Sequence, residues 1–110
     1  MHETNNLNLQ ASQLAAGTGA VVRTLNMAGP DYEFTRLVKI QAAMAGGMSR
    51  SGICSAVDYL TDSGYIEVQT VADHRAARVS TTPMESLEVK LTPKGKQLAL
   101  GVLDDPLVDM

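Results

Sequence analysis

The chain has 110 residues, a net charge of −3 and a pI of about 5.2, which suits one domain and argues against a purely electrostatic nucleic-acid binder. Hydrophobic residues make up 45%, with no Trp, one Phe and three Tyr, so the core must be mostly aliphatic and Met. The single Cys54 excludes an internal disulfide and fits a reducing, cytoplasmic setting. The polar start "MHETNNLNLQ" lacks a secretory pattern, and no apolar run approaches the ~18 residues of a membrane span.

Residues 1–8 are polar and are expected to fray as a flexible N-terminus. A helix is predicted from Leu9 to Met27, with Leu14, Val21, Val22 and Leu25 near one stripe. Gly17 and Gly19 weaken its middle by about 1 kcal/mol each against Ala. "AGP" at 28–30 ends it. A second helix is expected from Tyr32 to Ala45, capped by Asp31 and stopped by Gly46 and Gly47.

A third helix follows in "GGMSRSGICSAVDYLTDSGYIEV". Ser49 or Ser51 can cap it, and Ile53, Ala56, Val57 and Leu60 form a clean amphipathic stripe. Gly64 suits a left-handed end. Ile66, Val68 and Thr70, then Leu87, Val89 and Leu91, alternate with polar residues as two half-buried antiparallel strands. The loop between them is too long for a tight hairpin and either is mobile or carries extra strand near Arg78 and Val79. Thr92 caps a last helix with Pro93 at its first position. Leu98, Leu100, Val102 and Leu103 give that helix apolar surface, and residues 104–110 form a short acidic tail.

The predicted class is therefore α+β and mostly helical. Its order is three helices, a strand, a wing-like loop, a strand and a helix, which is that of a winged helix-turn-helix over residues 9–103. A two-stranded wing is marginal alone and must pack on the helices. "AVDYLTDSGYIEV" followed by "LEVKLTPKGKQLALG" resembles winged-helix bacterial regulators over roughly residues 20–103. "LNMAGPDYEFTRLVKIQAAMAGGMSRSGICSAVDYLTDSGYI" is similar to small winged-helix proteins of Mu-like phages and prophages. The resemblance implies a small DNA-binding transcriptional regulator that is not an enzyme and needs no cofactor.

In such a protein the N-terminal residues of the third helix meet base edges. Here those are Ser49, Arg50, Ser51 and Ser55. Arg can bond guanine bidentately and Ser can serve a base or a phosphate. Asp58 and Asp62 share that exposed face and would repel phosphate, and a serine-rich helix start also serves any capped helix. His74, Arg75 and Arg78 are the densest basic group and suit phosphate contact from the wing, or plain solvation. Arg36 and Lys39 can add phosphate contacts, or form an ordinary solvated helix face. Lys90, Lys94 and Lys96 suit surface charges better than DNA contacts.

Cys54 reads as a small half-buried side chain rather than a redox sensor. His2 and His74 lie too far apart for a zinc site. "GTGA" lacks the strand and lysine of a phosphate loop, and "GMSRSG" lacks the strand and spacing of a nucleophile elbow. The expected partners are double-stranded DNA and a second copy, meeting through helix one and the C-terminal helix. The competing reading is a winged-helix protein-interaction module without DNA binding, favoured by the negative total. A continuous positive stripe along helix three and the wing separates the two.

Overall fold

The computed structural model describes residues 2–44 and 48–110, with side chains from Leu7 onward. It is an α+β fold, about half helical, with four α-helices and a three-stranded antiparallel sheet among the described residues. The helices are α1 (His2–Ala28), α2 (Leu37–Ala43), α3 (Arg50–Asp62) and α4 (Pro93–Ala99). The strands are β1 (Thr35–Arg36), β2 (Ile66–Thr70) and β3 (Leu87–Leu91), in the order β1-β3-β2. A 3-10 turn, Met84–Ser86, leads into β3. Among the described residues no helix is long and apolar enough to cross a membrane.

α1 starts earlier than its composition predicts and does not break at its glycines. Both glycines sit at close crossings. A Cβ on Gly17 would lie 2.7 Å from the Met48 side chain, and one on Gly19 would collide with the Asp109 carbonyl. Packing against these neighbours outweighs the intrinsic cost of glycine.

The second helix is shorter than expected. It begins at Leu37, with Arg36 rather than Asp31 at its cap position and no side-chain cap bond. Residues 35–36 are drawn into the sheet instead, where Thr35 pairs with Val89 and Arg36 with Glu88. Tyr32, just before, is held at φ +63°. The expected stop at Gly46 and Gly47 lies outside the described residues.

α3 follows its pattern closely. Ser49 accepts the Gly52 amide at 3.0 Å, and Ile53, Ala56, Val57 and Leu60 are buried. Gly64, at φ +81°, turns the chain into β2. β2 and β3 pair from Ile66–Leu91 to Thr70–Leu87, with Ile66, Val68, Leu87, Val89 and Leu91 facing the core. The loop holds no further strand at Arg78 or Val79. A single bridge joins Gln69 to Ala76, and Val79 and Met84 turn inward.

α4 starts as read, with Thr92 accepting the Gly95 amide at 3.1 Å and Pro93 first in the helix. It stops at Ala99, however, and leaves Leu100 and Val102 at 63% and 77% exposure, so only Leu98 of its apolar residues is buried. The acidic tail, residues 104–110, packs against the body of the fold. Val108 is buried, the Asp109 amide donates to the Ala15 carbonyl at 2.9 Å, and Thr18, fully buried, reaches the Leu107 carbonyl at 2.6 Å. Arg23 adds a bond to the Asp109 carbonyl at 2.9 Å. The last residues are thus fastened along α1.

Candidate nucleic-acid interface

α3 has three sides. Its apolar stripe enters the core. One flank meets the β2–β3 loop, and the other meets α1 and the C-terminal segment. The loop flank is electrostatic. Arg78 bonds Asp62 twice, at 2.7 and 3.2 Å, and its guanidinium also lies 3.4 Å from Asp58. Asp58 Oδ1 is buried without a hydrogen bond, so that last contact is an ion pair of poor geometry. The Arg78 hydrogen bonds hold the Asp62 carboxyl below the usual carboxylate range. The expected repulsion at Asp58 and Asp62 is therefore answered from within the chain, and Arg78 faces α3 rather than solvent alone.

The rest of the loop is less committed. His74, at the tip, is held at φ +55°, a conformation uncommon for a non-glycine residue. Its ring lies 3.8 Å from Glu88, an ion pair only when the ring is protonated. Arg75 donates its backbone amide to Thr70 Oγ1. Its side chain makes no hydrogen bond or ion pair among the described residues.

At the N-terminal end of α3, residues from separate elements meet. Arg50 lies 3.6 Å from the Glu85 carboxylate, and Arg36 donates to the Glu85 carbonyl at 2.8 Å. Lys39 is exposed one helical turn beyond Arg36. Ser49 is occupied as the helix cap. Ser51 and Ser55 are exposed but border a shallow groove with Gln10, Gln13 and Leu14 of α1. Arg50 and Arg36 thus meet at one residue, Glu85, the first at its carboxylate and the second at its backbone carbonyl. The outward ridge of α3 itself carries Ser51, Ser55, Asp58 and Asp62 and is not a continuous positive stripe.

The other lysines are spent locally. Lys90 pairs with Glu67 at 3.2 Å and stacks over Phe34, Lys94 donates to the Ser63 carbonyl, and Lys96 donates to Asn26 at 2.5 Å. Cys54 is half-buried against the core.

The α1 flank holds the most connected acid in the fold. Asp105 Oδ2 accepts both the Tyr65 hydroxyl at 2.7 Å and the Tyr59 hydroxyl at 2.8 Å, while Oδ1 accepts the Leu107 amide at 2.9 Å. Burial pushes Tyr65 up, and the bond to Asp105 adds to this, to about 12. Burial and the same carboxylate raise Tyr59. Burial also pushes Asp105 upward, but the bonds from Tyr65, Leu107 and Tyr59, with the nearby Lys94 charge, hold it below its ordinary value.

Sequence reading missed Glu85 and Asp105. Nothing local marks Glu85. Asp105 stands before Pro106, a turn-initiating pair, and that was the available signal. Comparison with family models, curated proteins and solved structures finds no match to this chain.

Proposed function

We propose that the chain is a winged-helix DNA-binding protein of the small-regulator type, acting as a homodimer. The observation that carries the reading is the meeting of Arg36 and Arg50 at Glu85, beside the capped start of α3, with Lys39 exposed one turn beyond Arg36. α2, α3 and the β2–β3 loop then serve as helix, recognition helix and wing. The amides at the start of α3 that Ser49 does not cap, and two guanidiniums beside a single carboxylate, favour an anion there. Arg75 extends the positive surface at the loop tip.

Few cations per copy give weak, salt-sensitive binding. Two copies on two half-sites multiply it through effective concentration. The turn that follows α4 contributes exposed Leu100 and Val102 to such a pairing.

Fluorescence anisotropy with random-sequence duplex tests the reading. Binding at low salt should fall steeply as salt rises. Arg36→Ala with Arg50→Ala should weaken it and lower the salt slope by about 1 for each phosphate no longer neutralised. Absence of binding at low salt refutes the reading.

The second reading, a protein-interaction module, is favoured by one observation. The middle of the exposed α3 ridge is acidic, and its nearest cation, Arg78, is already paired. A partner with a basic or hydrogen-bonding surface fits that ridge better than a phosphate does.

A further inference from the structure

We propose that Glu85 is a built-in competitor for DNA phosphate: in the free chain its carboxylate occupies Arg50, and duplex must displace it to bind. The inference rests on the DNA-binding reading and names the residue that sets the threshold of that binding.

The backbone around Glu85 is held from several directions. Glu85 is the middle residue of the 3-10 turn Met84–Ser86. Met84 before it and Leu87 just after the turn are buried in the core. The Ser86 amide donates to the Pro83 carbonyl at 3.0 Å, and the Ser86 carbonyl accepts the Val71 amide at 2.9 Å. Arg36 donates to the carbonyl of Glu85 itself at 2.8 Å. Arg50 is fixed in the same manner. It is the first residue of α3, next to the Ser49 cap, and Ile53 beyond it is fully buried.

Only the two side chains reach outward. Their charged ends lie 3.6 Å apart, with Arg50 57% and Glu85 63% exposed. That distance is too long for a hydrogen bond, and an exposed ion pair contributes little to stability. The fold gains almost nothing from this contact. What the contact changes is the charge offered to solvent. Among the described residues no carboxylate pairs with Arg36 or Lys39, and Glu85 is the one acid that pairs with Arg50. An anion arriving at the start of α3 therefore meets one guanidinium that already has a counter-charge.

Phosphate and carboxylate compete for the same donors of a guanidinium, and both can take its paired N–H groups. Here the carboxylate holds Arg50 by Coulomb attraction alone, which salt screens. Phosphate can displace it without disturbing the fold. Glu85 nevertheless stays anchored nearby after displacement and repels the phosphate that replaced it. Both effects weaken binding at every sequence alike. A duplex held by phosphate contacts alone has no base contacts to offset them, so the acid keeps arbitrary duplex loosely bound.

Fluorescence anisotropy with random-sequence duplex at low salt tests this on four chains: wild type, Glu85→Gln, Arg50→Ala and the double variant. Glu85→Gln should tighten binding about three- to tenfold, since one ion pair and one repulsion are removed together. In the Arg50→Ala background the same change should alter binding by under about twofold, the additivity scatter of independent sites. Thermal melts of all four should coincide closely, as expected for exposed substitutions. Wild-type binding that Glu85→Gln leaves unchanged overturns the inference while the DNA-binding reading stands. Equal tightening in both backgrounds also overturns it, because Glu85 then acts through net charge and not through Arg50. Absence of binding by wild type and Glu85→Gln alike overturns the inference together with the reading beneath it.

Discussion

Replacing Asp105 with Ala tests whether the C-terminal segment is part of the fold's stability. The substitution removes the acceptor for two phenol hydroxyls at 2.7 and 2.8 Å and for the Leu107 amide at 2.9 Å. A hydrogen bond to a charged group contributes about 1.5–3 kcal/mol. The two phenols share one oxygen, and Asp105 is only half-buried, so the lower end applies to each. The expected loss is about 2–4 kcal/mol, a large part of the ~5–15 kcal/mol that holds a domain together. At roughly 4–8 °C per kcal/mol for a domain near this size, Tm falls by about 10 °C or more.

Asp105→Asn keeps the acceptor but removes the charge and should cost less. Urea unfolding followed by circular dichroism gives the stabilities, and spectrophotometric tyrosine titration gives a second readout. Tyr65, held at about 12 in the native chain, should move partway toward its ordinary value in Asp105→Ala, since burial remains the larger cause. The pH dependence has two limbs. Asp105 is held low, so its contribution is complete above about pH 4 and fades as pH falls through its folded value. Tyr65 is held high, so its contribution is complete below pH 10 and is lost as pH rises toward about 12. A stability change under about 0.5 kcal/mol, the scatter of ordinary surface substitutions, with an unmoved Tyr65 titration would refute the reasoning.

Two further outcomes follow from other contacts. Gly19→Ala should release the C-terminal segment, because the new methyl collides with the Asp109 backbone carbonyl. Amide exchange of Asp109, bonded to Ala15, should then rise although Ala is the better helix former. Arg78→Ala should leave the buried Asp58 oxygen with no counter-charge and free the β2–β3 loop from α3. Limited proteolysis within residues 71–83 should accelerate, and Asp58→Asn in the same chain should recover part of any lost stability.

Elements whose own residues decide them were readable in the sequence. α3 carries a complete apolar stripe between Ser49 and Gly64, and α4 opens on Thr92 and Pro93, so periodicity and caps place both. β2 and β3 alternate cleanly. What could not be read was decided by partners distant in the chain. Residues 35–36 leave the helical pattern because β3 offers them a ladder. α1 survives Gly17 and Gly19 because Met48 and Asp109 need the space.

The candidate site divides in the same way. Arg50 at the start of α3 was evident from the helix boundary. Its meeting with Arg36 depends on Glu85, which lies 35 residues beyond Arg50 in sequence. The acids of α3 looked like a plain source of repulsion because nothing local shows that Arg78 folds back onto them. Residues 104–110 read as a short acidic tail, yet one of those carboxylates accepts two tyrosine hydroxyls.

The Arg78 clamp also governs how this surface can move. One guanidinium grips Asp58 and Asp62, a full helical turn apart on α3, from a loop that β2 and β3 hold at its base. Loop and helix therefore swing as a single lever rather than as two independent fingers. Whatever meets the loop tip meets α3 at a preset angle, and a substitution at Arg78 changes the orientation of a whole face as well as the charge at one point.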